Sequence, residues 1–251
     1  MWRVEQLLRA TAEAEARHFW FRGFRYFVTP LLRRATLGLS DARILDCGCG
    51  TGANLEFLGR FGRAYGFDLT MAGLRFGRGA GRMRLAQATV AAAPFPSGAF
   101  DVVTSFDVLY ALPAPDERAA VAEMFRLAKP GGFAVINVAA MDLLHGDHSV
   151  LSREIRRYSR ASLGRLVGAA GFVIERLTYT NAILFPPMAT VRALQRWRGL
   201  RLEADARDEI SVPPAPVNTL LTAALWIESR WLRWCDSPFG SSLLCLARKP
   251  G

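Results

Sequence analysis

Ile44-Leu45-Asp46-Cys47-Gly48-Cys49-Gly50-Thr51-Gly52-Ala53-Asn54 is an apolar run that ends in an acid, passes through three alternating glycines and opens into a helical pattern. Glycine is needed where a backbone must take positive φ or lie against a ligand, so the stretch reads as a buried strand, a tight turn and a helix start. Further on, Tyr65-Gly66-Phe67-Asp68-Leu69 is a second apolar run ending in an acid. Strand, helix and strand in that order make a βαβ unit, and ligands of such units bind beyond the carboxyl ends of the strands.

Outward from this unit, apolar runs at 43–47, 63–67, 83–86, 101–106, 133–139, 172–180 and 241–249 alternate with helical patterns near 53–61, 71–79, 116–128 and 160–170. That alternation predicts an α/β fold, a mostly parallel sheet wrapped by helices, with one strand per run. Lys129-Pro130-Gly131-Gly132 stops the third helix and turns the chain. The chain, 1–251, reads as a single domain with two attachments. Residues 1–39 form an N-terminal helical cover around His18-Phe19-Trp20-Phe21-Arg22. Residues 182–240 hold helical patterns at 187–201 and 217–235 on either side of Pro213-Pro214-Ala215-Pro216. A compact domain does not carry roughly 60 structureless residues in one connection, so this second segment is a helical insert.

At 251 residues and 51% hydrophobic the chain can bury one large core. Its net charge is +10, carried almost wholly by arginine, with lysine only at Lys129 and Lys249. The arginines are scattered among apolar residues, which speaks against a nucleic-acid partner and leaves an anionic membrane surface or an anionic substrate. Four cysteines, two of them in the glycine loop, form neither a disulfide framework nor a zinc set, so no metal is expected. With no signal-peptide pattern and no run of about 18 apolar residues, the expectation is a cytoplasmic protein that touches a membrane peripherally at most.

Gly48-x-Gly50-x-x-Ala53 alone also satisfies a dinucleotide fingerprint. Asp46 separates the two readings, because a carboxylate just ahead of the glycines repels a pyrophosphate and attracts an ammonium such as that of S-adenosylmethionine (SAM). Asp68 accepts from both ribose hydroxyls of either cofactor, or caps the helix that follows Leu69.

ILDCGCGTG, then GFD, then Ala93-Pro94-Phe95-Pro96-Ser97-Gly98-Ala99-Phe100-Asp101-Val102-Val103, then Leu127-Ala128-Lys129-Pro130-Gly131-Gly132, resemble the motifs of class I SAM-dependent methyltransferases. The whole length is similar to a bacterial and archaeal group of these enzymes whose substrates are mostly undefined. The shared features are His18-Phe19-Trp20-Phe21-Arg22-Gly23, a His and Arg-Arg-Tyr loop, and a tail seen here as Pro214, Asn218, Glu228 and Pro238-Phe239-Gly240-Ser241-Ser242. The resemblance implies a Rossmann-like seven-stranded sheet with the last strand antiparallel. It also implies SAM as cofactor, S-adenosylhomocysteine as product, and transfer to an oxygen or nitrogen nucleophile, without naming the acceptor; the dense aromatics of the cover and insert suit a small, bulky or lipophilic one. It places Asp46, Gly48, Cys49, Gly50, Gly52 and Asn54 around the aminoacyl end, Asp68 and Leu69 at the ribose, Thr89 and Val90 at the adenine side, and Phe106 beside the cofactor in the stretch between its methyl group and the acceptor. The Thr89 position is usually an acid in the family, and a hydroxyl accepts from the adenine amino group more weakly.

On the acceptor side, Asp107 either orients a substrate or caps the next turn, and Tyr110 either lines the acceptor space or packs beside the cofactor. His145 and His148 lie after the fifth strand, where histidine supplies a base near neutrality; with Tyr158 they are the catalytic candidates, or else ordinary loop residues. Arg156 and Arg157 are either an anion clamp or a solvated helix start. His18, Trp20 and Arg22 complete the acceptor candidates. Trp226, Arg230, Trp231, Arg233 and Trp234 interleave aromatics with arginine, a pattern suited to lipid head groups, or else the aromatics are the buried stripe of a capping helix. The rival readings are a catalytically inactive scaffold or membrane-associated protein of the same fold, and an NAD-type oxidoreductase.

Overall fold

β1 (Arg43–Cys47), β2 (Arg63–Asp68), β3 (Leu85–Gln87), β4 (Phe100–Phe106), β5 (Ala128–Ala139), β6 (Val173–Thr180) and β7 (Ser242–Arg248) form one sheet in the order β3-β2-β1-β4-β5-β7-β6. These come from a computed structural model, which describes residues 15, 17–147, 149, 154–199 and 212–251. Strands β1 to β5 pair in parallel, and β7 runs antiparallel between β5 and β6, as expected of the last strand. The chain winds outward from β1 to β3 and then returns to β4 on the other side of β1. That reversal between β1 and β4 opens a crevice at their carboxyl ends, where the glycine loop begins.

The central strands are continuous apolar runs because both faces of the sheet are covered. Leu45, Val103 and Ile136 face one core with Val121, Met124 and Val167, while their neighbours Ile44, Val102 and Val135 face the other with Val28, Leu32 and Leu225. Successive residues of one strand thus belong to opposite cores, the two-residue period of a pleated strand.

The helices are α1 (Phe19–Ala35), α2 (Ala53–Leu58), α3 (Met71–Gly79), α4 (Ala114–Leu127), α5 (Arg160–Ala169), α6 (Phe185–Arg198) and α7 (Ala215–Trp231). Helix α4 stops where Lys129-Pro130-Gly131-Gly132 directs, but these four residues join β5 instead of forming a free turn. Gly131 takes φ of 76°, its N–H donates to the Lys249 carbonyl, and the Lys249 N–H returns to Gly132. Helix α6 begins at Phe185, ahead of the expected 187, because prolines are tolerated in a first turn where the N–H has no partner anyway.

The cover and the insert meet each other. The side chain of Asn218, on α7, accepts from the Phe19 N–H at 2.8 Å and donates to the Arg17 carbonyl at 2.9 Å, so it holds the start of α1. At Gly23 the two helices approach so closely that a Cβ there would lie 2.2 Å from Leu225 Cδ1 and 2.9 Å from Leu225 Cβ. Residues 1–14 and 16 of the expected cover, and 200–211 of the expected insert, lie outside the described residues. Among the described residues no helix is long and apolar enough to cross a membrane.

Gly23→Val should therefore push α1 off α7 and lower stability by about 1–3 kcal/mol. Urea denaturation measures it, and adding Leu225→Ala should recover part of the loss. A Gly23→Val protein as stable as the parent would show that the two helices do not depend on this approach.

Candidate cofactor and acceptor site

The end of β1 carries Asp46, whose side chain is buried between β1 and β4. Thr104, at the facing position of β4, donates its hydroxyl to Asp46 Oδ1 at 2.7 Å. Asp46 Oδ2 is buried with no hydrogen-bond partner. Burial pushes the Asp46 carboxyl up to about 7, against the Thr104 hydrogen bond, and the nearby charges of Asp68 and Glu15 push the same way. A buried carboxylate oxygen without a donor is costly, so this site is suited to an ammonium.

Beyond Asp46 the chain takes positive φ at Gly48, Gly50 and Gly52. The three differ in what a side chain would meet. At Gly48 it would strike Val108 and at Gly52 Leu85, whereas at Gly50 nothing lies within 4 Å. Gly48 and Gly52 let the loop pack, and Gly50 leaves open space beside the acids. Cys49 turns its side chain inward beneath Gly66, so only its backbone faces the cleft. Asn54 lies in the first turn of α2, which starts from Gly52.

Asp68, at the end of β2, accepts from the Gly50 N–H at 2.8 Å with Oδ2 and from the Thr70 N–H at 2.7 Å with Oδ1. It thus ties the glycine loop to β2 and holds the turn before α3, whose N-cap position is Thr70. Each carboxylate oxygen has a second lone pair, so the same residue can still accept from two ribose hydroxyls. Leu69 beside it is exposed. Thr89 and Val90 follow β3 in a turn closed by the Ala92 N–H on the Thr89 carbonyl. The orphaned oxygen of Asp46, the open space at Gly50 and the paired acceptors of Asp68 together fit SAM, with its ammonium and its ribose.

Glu15 was not singled out from the sequence. It comes from the stretch before α1, and its Oε2 is buried with no hydrogen-bond partner. Burial raises its pKa, offset by Arg82 and Arg25. It is the second acid at this site with a bare buried oxygen.

Asp107 lies one residue past β4. It has φ of 60°, a conformation that Asp and Asn accept better than other non-glycine residues. Its N–H donates to the Asn137 carbonyl and its Oδ1 accepts from Asn137 Nδ2, both at 3.0 Å. The residue is exposed, yet the walls around it remove enough water to push its carboxyl up to about 7. Glu154 adds to that rise, while Asn137 and Arg157 oppose it. Phe106 beside Asp107 is buried and meets Phe24 of α1 edge to face, with ring centroids 4.9 Å apart. Tyr110 is buried too, and its carbonyl accepts from the Ile155 N–H at 2.9 Å.

Other candidates are engaged in holding the fold. Arg157 donates twice to Glu154 and once to the Ala140 carbonyl, and Arg156 pairs with Glu117 at 2.7 Å. These two arginines carry internal carboxylates and do not present the expected anion clamp. Tyr158 is engaged in the same way. Its ring is buried, its hydroxyl donates to Glu117, and burial followed by the Glu117 charge raises its pKa. A phenol held in that state is a poor base. His18 caps α1, its Nδ1 accepting from the Trp20 N–H at 3.1 Å, with Arg22 exposed one turn later. His145 ends the short turn after β5, and its carbonyl accepts from Arg196 of α6 at 2.9 Å. His148 lies outside the described residues.

Thr104 and Asn137 were also missed. Each is a buried polar residue within a strand whose central run is mostly apolar, and that interruption was the available signal.

Residues 45–136 match the family model described as a methyltransferase domain. The chain is 32% identical over 178 residues to the demethylmenaquinone methyltransferase of Geobacillus stearothermophilus, across 56% of this chain and 75% of the relative. It is 34% identical over 114 residues to that of Geobacillus kaustophilus strain HTA426, across 41% of this chain and 48% of the relative, so it spans about half of that relative's length. Among solved structures, the complex of the Haloferax volcanii Trm112 methyltransferase activator with a candidate methyltransferase aligns at a TM-score of 0.61 and 17% identity, covering 97% of this chain and 94% of the other. The chain belongs to the class I SAM-dependent methyltransferases, and its cofactor is SAM.

Two measurements test the cradle. Asp46 ionises near 7 in the free protein, and a bound cation favours the ionised form, so below about pH 7 binding must expel a proton. SAM affinity should be flat above that pH and fall by up to about tenfold per unit below it. Asp46→Asn should weaken binding and flatten the profile in calorimetry; an unchanged profile would remove Asp46 from the cation site. Asp68→Ala should weaken SAM binding by about tenfold to a hundredfold, because the ribose hydroxyls and the Gly50 N–H lose their acceptor.

Proposed function

We propose that the protein transfers the methyl group of SAM to an oxygen or nitrogen of a small lipophilic acceptor, with Asp107 receiving the acceptor's proton. The observation that carries this reading is the placement of Asp107, one residue past the carboxyl end of β4, the strand beside that of Asp46, with its carboxylate held by Asn137 at 3.0 Å; its carboxyl is pushed up to about 7, chiefly by loss of water around it. A base poised at the working pH is the one that is both ionised and able to hold a proton.

When bound, SAM supplies a methyl already made electrophilic by its sulfonium, and S-adenosylhomocysteine leaves. The chain's work is positional. Asp46, with its bare Oδ2, would hold the ammonium, and Asp68 the ribose. The open backbone at Gly50 admits the cofactor to the end of β1, and Asn137 fixes the Asp107 carboxylate by one hydrogen bond. Holding two reactants in line is the larger share of such catalysis. The aromatic side chains of α1, Phe24 against Phe106 and His18 stacked on Phe19 at 4.4 Å, favour an apolar acceptor body over a charged one. The internal pairing of Arg156 and Arg157 points the same way, because it leaves those two cations already matched.

A second reading is favoured by the relatives, which are named demethylmenaquinone methyltransferases. Removing the proton of a ring hydroxyl spreads charge onto the adjacent ring carbon, so the same base would serve methylation at carbon. Magnetic resonance of the isolated product separates the readings, since a methyl on oxygen, nitrogen or carbon has a distinct shift. A scaffold without catalysis would yield no labelled product from methyl-labelled SAM and a lipid extract.

Asp107→Asn retains the backbone preference and the contact with Asn137 while removing the base. At saturating SAM it should lower transfer by about a hundredfold or more, with SAM affinity close to that of the parent. The parent's rate should climb with pH and level off above about 7, as the Asp107 carboxyl loses its proton. Near-normal transfer by Asp107→Asn would assign Asp107 to the turn alone.

A further inference from the structure

Helix α7 is packed inside out. Its buried residues are Asn218, Thr222, Leu225, Glu228 and Ser229, four of them polar. Each polar group is satisfied within the protein. Asn218 holds the start of α1, Thr222 donates to the Asn218 carbonyl, Glu228 accepts from the Ala182 and Ile183 N–H groups, and Ser229 donates to the Trp226 carbonyl. The opposite face is apolar and open. Leu220, Ile227, Trp231 and Trp234 follow one another at helical spacing, so they form a single stripe, with Trp234 in the turn just past the helix. Leu220 is 70% exposed, Trp234 89% and, on neighbouring α6, Trp197 85%. A helix that folds only against its own domain turns its apolar stripe inward, so this one is arranged to be covered by something else.

Charge indicates what covers it. Glu228 is the only acid in α6 and α7, and it is buried. Asp236, just beyond, pairs with Arg176 at 2.9 Å. Arg230 and Arg233, both exposed, flank the stripe. A second copy docked by the same face would bring these arginines together with no acid of α6 or α7 to meet them. Lipid phosphates meet them directly, while tryptophan takes the boundary between head group and acyl chain.

We infer that α7 and the turn after it seat on an anionic lipid bilayer, with Leu220, Ile227, Trp231 and Trp234 entering the interface and Arg230 and Arg233 contacting phosphate. The seat is peripheral, since no described helix can span a membrane. The other face of α7 holds α1, and α1 carries Phe24 against Phe106 beside Asp107. The membrane surface is thus one helix away from Asp107, which gives a lipophilic acceptor a short route; this last step alone rests on the acceptor reading proposed above.

The test is co-sedimentation with vesicles of phosphatidylglycerol and, separately, of phosphatidylcholine, at low and high salt. The parent should sediment with phosphatidylglycerol at low salt, less at high salt, and weakly with phosphatidylcholine. The double variant Trp231→Ala with Trp234→Ala should lose about tenfold or more of its vesicle affinity. Arg230→Gln with Arg233→Gln should lose the salt-dependent part. SAM affinity should stay at the parent's value in both variants, which shows that they are folded and keeps this test separate from that of the acceptor. Absence of sedimentation at low salt, equal binding to both lipids, or undiminished binding by the tryptophan variant overturns the inference. So does a dimer in analytical ultracentrifugation that the tryptophan variant disperses, since that assigns the face to a second copy.

Discussion

One bare carboxylate oxygen organises the molecule. Asp46 Oδ2 is buried without a donor at the point where the sheet reverses direction, and its partner oxygen is already taken by Thr104. Burying an ionised carboxylate is costly unless a cation meets it, so the chain either keeps the group protonated near neutrality or waits for an ammonium. The surroundings sharpen that choice. Asp68 and Glu15 add negative charge around Asp46, and the loop between the acids is stripped of side chains where it faces them. A scaffold with no need for a cation would gain stability by replacing Asp46 with an apolar residue.

The sheet was legible because strands buried on both faces must be continuous apolar runs, and acids at their carboxyl ends mark where the chain leaves the sheet toward a ligand. β1, β2 and α3 fall within a residue of the pattern, as does the antiparallel β7 taken from the family resemblance. What misled lies at the ends of elements, where tertiary partners decide. Lys129-Pro130-Gly131-Gly132 reads locally as a turn, yet its backbone finds Lys249, far away in sequence, and becomes strand. The site was legible in the same proportion. Acids and glycines announce themselves by spacing, whereas the arginines could not be sorted without their partners. Arg156 and Arg157 look like an anion clamp until Glu117 and Glu154 are seen beside them.

Strain is concentrated where chemistry is expected. The non-glycine residues with positive φ among the described residues are Asp107, Met141 and Asn181. They follow β4, β5 and β6 respectively, all at the carboxyl edge of the sheet. Backbone in this region costs roughly 1–3 kcal/mol per residue and persists only when neighbours fix it. Asn137 fixes Asp107 through two hydrogen bonds, and the Met141 N–H is held by the Tyr158 carbonyl at 3.2 Å. Tyr158 thus meets this edge of the sheet through its backbone, while its buried hydroxyl is bonded to Glu117.

The cover and the insert follow a different rule from the sheet. In the sheet, apolar residues go inward and polar ones mark function. In α7 the polar residues go inward, because the start of α1 and the turn at Ala182 both present N–H groups that need acceptors, and Asn218 and Glu228 supply them. Once those positions are committed to polar partners, the apolar residues at the intervening helical positions have only the outer face left. Exposed tryptophan on α7 is thus the direct consequence of how α1 is anchored.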